Sequence, residues 1–282
     1  MKAMRQLFDS NGFKMGNPWQ HKIQYKQDYL ALDTFKLGSG FEVKYYFTVG
    51  ENVDAETINK LSAVVERPEL WDVLINDEKV EKSDKWWIDR EFFKFPIGSK
   101  VHKGLNTLTL KAPKMSFHAE LMPVYIVGDF VLNPLKQGFE ISKGKLSKLG
   151  SWKSMGYPFY GNKVAYSENY TVAKSAAQFK VKLNKWNGTL AEVYVNEKKV
   201  GIIAYPPYEL NISEFVNDGN NKIAVNVVGS LKNTFGYLYK DNHRWINGPG
   251  DWDTTPAQLP ASKDYFLMDY GLEEPFSLIR MD

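Results

Sequence analysis

Between Trp186 and Val227 the chain alternates apolar and polar residues in short runs, each closed by a turn signal. Val193-Tyr194-Val195 reads as a strand, Asn196-Glu197-Lys198-Lys199 as polar turn residues, and Val200-Gly201-Ile202-Ile203 as the returning strand. Tyr205-Pro206-Pro207-Tyr208 must leave the sheet or run along its edge, because proline has no N–H to give a ladder. Leu210 and Ile212 resume the alternation. After the turn signal Asn217-Asp218-Gly219-Asn220-Asn221, Ile223, Val225 and Val227 fall on one face. A side-chain period of two, repeated this often, builds sheets.

The pattern occurs twice. Val73 to Val80 lies on Val193 to Val200 with Val, Asn, Lys and Val identical at four positions, and Asn76 and Asn196 stand 120 residues apart. Downstream, Gly104-Leu105-Asn106-Thr107-Leu108-Thr109-Leu110 lies on Gly219-Asn220-Asn221-Lys222-Ile223-Ala224-Val225 at a spacing of 115. One longer loop in the first copy accounts for the difference, and two copies of one β unit account for both matches in order.

A chain of 282 residues is long for one sandwich and natural for two. Hydrophobic content of 43%, with 15% aromatic, supplies real cores and excludes disorder. The 36 basic and 33 acidic residues leave +3, without the concentrated basic surface of a nucleic-acid binder. The Lys-rich tract from Lys143 to Lys153 reads as a solvated interdomain connection. There is no cysteine, hence no disulfide or thiolate chemistry, and no 18-residue apolar run to span a membrane. The opening Met1-Lys2-Ala3-Met4-Arg5-Gln6-Leu7-Phe8 is too short and polar for a signal peptide.

Residues 1–25 offer one helical turn, with Met4, Leu7 and Phe8 on one side, broken at Asn11-Gly12 and Asn17-Pro18; they read as a leader or linker. From Gly40 the signal is β, with Phe41, Val43, Tyr45, Phe47 and Val49 alternating. Over Glu56 to Val65, β-branched residues and a nearby proline weigh against a helix. Ala119 to Phe130 closes a first unit and Asn133-Pro134 a boundary. The expected domains are thus 26–135 and 136–282, the second containing Val164, Tyr166 and Tyr170, then Phe179, Val181 and Leu183, on strand faces. Many short strands with scarcely a helix predict an all-β pair of tandem sandwiches.

Several segments, in order, carry a family resemblance. Glu66-Arg67-Pro68-Glu69-Leu70-Trp71, Trp86-Trp87-Ile88-Asp89-Arg90 and Val127-Gly128-Asp129-Phe130 resemble the first of two β-sandwiches in large bacterial α-L-rhamnosidase-like glycoside hydrolases. Gly156-Tyr157-Pro158-Phe159-Tyr160-Gly161, Tyr205-Pro206-Pro207-Tyr208 and Tyr270-Gly271-Leu272 resemble the second, a family 2-type sugar-binding, galactose-binding-like jelly roll. The resemblance covers nearly the whole chain beyond about residue 26 and implies two tandem jelly-roll sandwiches. It further implies an extracytoplasmic setting within a longer bacterial protein, carbohydrate and a catalytic domain as partners, and a structural Ca²⁺. Relatives carry Gly-Pro-His-His near the last loop; this chain has Gly236-Tyr237-Leu238-Tyr239, so no role of those histidines transfers.

Glycoside hydrolysis needs two carboxyl groups flanking the bond. Asp89, Glu120, Asp129, Asp251 and Asp253 lie near aromatic stretches, but no spacing singles out a pair, no (β/α) barrel pattern is present, and no catalytic residue is assigned. Sugar binding needs flat aromatic faces beside planar polar groups. Trp86, Trp87, Asp89 and Arg90 supply these types, with one tryptophan expected in the core and Asp89 and Arg90 paired at the surface. His243, Arg244, Trp245, Asp251 and Trp252 supply them again in a turn-rich stretch. Tyr205 and Tyr208 are expected to cover a sheet edge. The four histidines, His21, His102, His118 and His243, have no ligand-like spacing, and Ca²⁺ ligands leave no sequence signature. The readings left open are an ancillary glycan-binding region of a glycoside hydrolase, a free-standing lectin or adhesion module, and a small jelly-roll hydrolase or lyase.

Overall fold

The computed structural model describes residues 2–12, 35–116, 118–144, 149–173, 177–235 and 259–281. They divide into two compact units. The first takes the described residues up to 144 together with 259–263, and the second those of 149–235 and 264–281. Strand dominates both, so the chain is all-β with two tandem sandwiches, as the alternation predicts.

The first unit contains β1 (Phe41–Val49), β2 (Ser62–Glu66), β3 (Asp72–Ile75), β4 (Glu78–Val80) and β5 (Trp86–Trp87). Then come β6 (Asp89–Pro96), β7 (Gly104–Ala112), β8 (Tyr125–Val127), β9 (Val131–Pro134) and β10 (Phe139–Ser142). One sheet has the order β4-β3-β7-β1-β10-β9, the other β5-β6-β2-β8. Their inner faces meet in a core of Val49, Ala63, Val65, Trp71, Val73, Ile75, Phe95, Leu108 and Leu110. Because β10 pairs with β1, through Val49 and Ile141, this unit runs on to Gly144 and does not end at 135. Asn133 and Pro134 lie inside it, at the end of β9, paired with Glu140 and Phe139.

Among the described residues, two α-helices belong to this unit. Helix α1 (Lys2–Ser10) sinks Phe8 completely into the core, so the opening segment is built into the sandwich and is more than a linker. Helix α2 (Ala55–Asn59) takes part of the stretch over which β-branched residues weigh against a helix; Asp54 caps it, accepting from the Thr57 N–H at 2.8 Å, and the β-branched run that follows becomes β2.

The second unit contains β11 (Lys163–Val172), β12 (Gln178–Lys182), β13 (Trp186–Asn187), β14 (Leu190–Val195) and β15 (Lys198–Ile203). It continues with β16 (Glu209–Asn211), β17 (Gly219–Val228), helix α3 (Lys232–Phe235), β18 (Gly271–Leu272) and β19 (Ser277–Met281). Its sheets are β11-β17-β14-β15 and β16-β12-β19, with a short β13-β18 ladder. Phe179, Val181, Val193, Val195, Ile223, Val225 and Val227 fill the core between them.

Seven strands of the first unit have counterparts in the second. The run β4-β3-β7-β1 corresponds to β15-β14-β17-β11, and β6-β2-β8 to β16-β12-β19. The hairpin turns correspond to the dihedral: Asn76 and Asn196 have φ of 49° and 48°, Asp77 and Glu197 of 68° and 70°. Each turn thus has two left-handed residues, the geometry that matches strand twist in a hairpin. The polar tetrapeptide at 196–199 is shared between this tight turn and the start of β15.

A buried amide clamp repeats with it. The Asn106 side chain is fully buried; its Oδ1 accepts from Asn76 Nδ2 at 2.9 Å and the His102 N–H at 3.0 Å, and its Nδ2 donates to the carbonyls of His102 and Gly104. Asn221, 1% exposed, accepts from Asn196 Nδ2 at 3.0 Å and the Asn217 N–H at 2.8 Å, and donates to the carbonyls of Asn217 and Gly219. Asn76 and Asn196 in turn accept from the N–H groups of Thr107 and Lys222, both at 2.9 Å. On the outer face Asp72 pairs with Lys79 at 2.8 Å and Glu192 with Lys199 at 2.5 Å, again 120 residues apart. Lys199 and Lys163, both hydrogen-bonded to it, hold the Glu192 carboxyl down to about 2.

Candidate functional site

The described part of the sequence-predicted constellation lies where β5 turns into β6. The turn is tight: Trp87 pairs with Asp89, leaving Ile88 at φ 64°. A β-branched residue in the left-handed region is a genuine outlier, costing on the order of 1–3 kcal/mol, and such strain concentrates at binding sites and switches. Asp89 stabilises the turn by accepting from the Glu91 N–H at 2.9 Å. The segment is tied to β6 by the Ser83 N–H and the Ser83 hydroxyl, which both donate to the Lys94 carbonyl at 2.8 Å, and by the Lys94 N–H donating to the Lys85 carbonyl.

A register shift between Trp86 and Trp87 separates the two tryptophans. Trp86 pairs with Phe93, whose ring also carries the Lys82 ammonium 4.4 Å from its centroid, and Trp86 remains 51% exposed. Trp87 lies against Tyr125, ring centroids 5.3 Å apart, and Phe92 meets Tyr125 edge-on at 6.2 Å. Neither tryptophan is a core residue, which corrects the expectation that one would be. The reason is the kink: the chain reverses within three residues, before either indole can reach the space between the sheets. Asp89 and Arg90 are both exposed, and the Asp89 carboxyl turns back onto its own backbone.

Glu66, which composition did not single out, stands beside this aromatic group. It pairs with Phe92 across β2 and β6, and its Oε2 is buried without a hydrogen-bond partner. Burial, and then repulsion from Glu120, raises its pKa; Arg67 opposes, and Glu91 and Asp89 add to the rise. Burial also pushes the Tyr125 phenol up, the Glu66 carboxylate adding to it. The signal available in the sequence is a carboxylate closing the apolar run Ala63-Val64-Val65 at the period-two position shared with Val64. Chemically this is an aromatic group beside acceptors, with Arg67 as a planar donor near Glu66.

Because the folded state binds the Glu66 proton more tightly than the unfolded chain, this residue's contribution to stability is lost as pH rises from its ordinary value through the raised one. Glu66→Gln is therefore expected to leave the first unit unchanged in acid. At neutral pH it should gain about 0.5–1 kcal/mol, solvent screening allowed for. Urea midpoints measured from pH 4 to 8 check this; a variant that runs parallel to wild type across that range contradicts it.

His243, Arg244, Trp245, Asp251 and Trp252 lie outside the described residues, as do His21 and Asp253. Among the described residues no three His, Cys, Asp or Glu side chains come together as a cation would need. Of the carboxylates weighed at the start, Asp89 and Glu120 both act on Glu66, whereas Asp129 is not among the groups that shift it. Tyr205 does not cover a sheet edge; it is 83% exposed.

No protein-family model matches the chain. It is 26% identical over 179 residues to a Formosa agariphila protein described as "Putative beta-glucuronidase", an alignment of 55% of this chain and 15% of that protein's length. Among solved structures, a rhamnosidase from Novosphingobium sp. PP1Y aligns over 86% of this chain and 22% of its own, at 18% identity and a TM-score of 0.33. The Streptomyces avermitilis α-L-rhamnosidase complexed with L-rhamnose aligns over 69% and 22%, at 12% identity and a TM-score of 0.28. A glycosyl hydrolase family 2 member from Bacteroides cellulosilyticus aligns over 67% and 24%, at 11% identity and a TM-score of 0.23. The fold assignment rests on the strand pairing above and not on these three likenesses.

Proposed function

We propose that this chain is a carbohydrate-binding, non-catalytic pair of galactose-binding-like β-sandwiches within a larger extracytoplasmic glycoside hydrolase, where it packs against the catalytic domain. The observation that carries the reading is the strained β5–β6 turn, where Trp86 is half exposed and where Trp87, Tyr125 and Phe92 form an aromatic group next to Glu66, with the Asp89 and Glu91 carboxylates acting on it. A pyranose offers an apolar C–H face to an indole and hydroxyls to carboxylates, so this combination suits a neutral sugar. The similarity to a protein described as a β-glucuronidase, of which this chain matches 15%, supports placing it inside a longer enzyme.

The test is retardation of the purified chain in native gels cast with arabinogalactan, xyloglucan or xylan. Trp86→Ala with Trp87→Ala is expected to weaken the best interaction roughly tenfold or more, since an aromatic anchor at a binding centre is worth about 2 kcal/mol. Wild type that runs freely in all three gels sinks the reading.

A further inference from the structure

Glu66 closes β2, a strand held by ladders to β6 on one side and β8 on the other. Phe92 stands opposite Glu66 and Tyr125 opposite Val64, so both rings share the face of the sheet that Glu66 occupies. Trp87 lies against Tyr125. The Glu66 Oε2 atom is buried there without a hydrogen-bond partner among the described residues. A carboxyl group so placed is stable as the neutral acid; as an anion it must gain donors or water.

The surrounding groups decide which form wins. Glu120, in the segment leading to β8, repels the anion, as do Glu91 and Asp89 on β6, whereas Arg67, next in the chain, favours it. Arg90 and Lys94 alternate with Phe92 along β6, Lys94 opposite Val64, and the Tyr125 phenol lies on the same face. The Glu120 N–H donates to the His118 carbonyl at 2.9 Å, which brings a histidine into the same segment. Burial first, and Glu120 second, keep the Glu66 carboxyl protonated above the ordinary glutamate range. The element able to yield when the charge appears is the β5–β6 turn. There β5 has two residues, Trp86 is half exposed, and Ile88 is held at φ 64° while 43% exposed. Movement relieves strain in the turn, whereas β2 would have to break two ladders.

We propose that Glu66 is a proton-operated latch on the β5–β6 turn: as a neutral acid it keeps the Trp87 and Tyr125 rings packed beside it, and as a carboxylate it draws in water and frees the turn. The proton passes to solvent. The latch belongs to the first unit alone and stands whether or not the turn binds a glycan. Its effect on binding rests on the glycan reading: association at Trp86 and Trp87 is strongest in mild acid, where the platform is already ordered.

The test is amide hydrogen exchange of the full chain, wild type and Glu66→Gln, at about pH 5 and about pH 8, each rate divided by that of an unstructured peptide at the same pH. In wild type, protection of residues 83–94 is expected to fall at least about threefold between the two conditions, while β14 and β17 hold theirs. Glu66→Gln is expected to keep the acid level of protection at both. Equal wild-type protection at both pH values overturns the latch. So does a fall of the same size in Glu66→Gln, which would assign the titration to His118, a residue type that changes charge in this range. Gel retardation of both proteins at the same two pH values reads the effect on binding: the latch makes wild type the more retarded in acid and removes that difference from Glu66→Gln. Exchange that follows pH in a wild type that no polysaccharide retards keeps the latch and drops the glycan reading.

Discussion

Asn221→Ala is expected to destabilise the second unit by about 3–4 kcal/mol, and Asn106→Ala the first by a similar amount. Each amide is buried and makes four hydrogen bonds, to the turn asparagine and to the backbone of the loop before β17 or β7. Alanine removes two donors and one acceptor together. Two backbone carbonyls and one N–H in each unit are then left in a space too apolar to rehydrate them cheaply, each costing about 1 kcal/mol or more. Asn221→Asp separates shape from donors: it keeps the acceptor, loses both N–H groups and buries a charge, and should be at least as damaging as alanine. Urea unfolding gives the size of the loss, and amide exchange gives its place. Asn221→Ala should lower protection in β14, β15 and β17 while leaving β3, β4 and β7 at wild-type values. A loss under about 1 kcal/mol would mean that the clamp follows the fold and does not hold it.

That clamp also marks what could be read from the sequence. Asn76/Asn196 and Asn106/Asn221 are visible as identical letters at spacings of 120 and 115, the first pair because a left-handed turn position favours asparagine and the second because a buried amide with four partners tolerates few replacements. The alternation along β17 and β14 is equally plain, since one face of each is fully buried. What the sequence concealed depends on pairing between distant segments. The unit boundary moved because β10 joins β1 across some ninety residues, a contact that no local signal at Asn133-Pro134 could announce. The two tryptophans separated because of a register shift that takes the partner strand from Phe93 to Asp89 between consecutive residues. The left-handed Ile88 and Tyr208 went unseen because β-branched and aromatic residues are the last that propensity would place there. Glu66 became part of the site only once β2 lay beside β6.

The corner where β18 meets the segment around Trp152 gives the other large effect: Trp152→Ala is expected to cost the second unit about 4 kcal/mol. Trp152 is the largest fully buried side chain of that unit. Its Nε1 donates to the Tyr166 hydroxyl at 2.9 Å, and that oxygen also accepts from the Leu272 N–H at 3.2 Å. Its own N–H donates to the Tyr270 carbonyl at 2.7 Å, and Gly150 ties to Leu272 at 2.8 Å. Gly271, at φ 137°, packs so closely that a Cβ there would sit 2.2 Å from the Gly150 oxygen and 3.1 Å from the indole. Trp152→Phe should therefore cost less, about 1–2 kcal/mol, by keeping most of the volume and losing the donor. Gly271→Ala should approach the full alanine penalty by strain alone. Leu272 also pairs with Trp186, the ring against which Tyr208 rests edge-on, so loosening the corner reaches the β13–β18 ladder. Thermal unfolding of the three variants orders the losses, with Trp152→Ala and Gly271→Ala above Trp152→Phe, and a Gly271→Ala protein as stable as wild type would show that the close approach at Gly271 does not hold the corner.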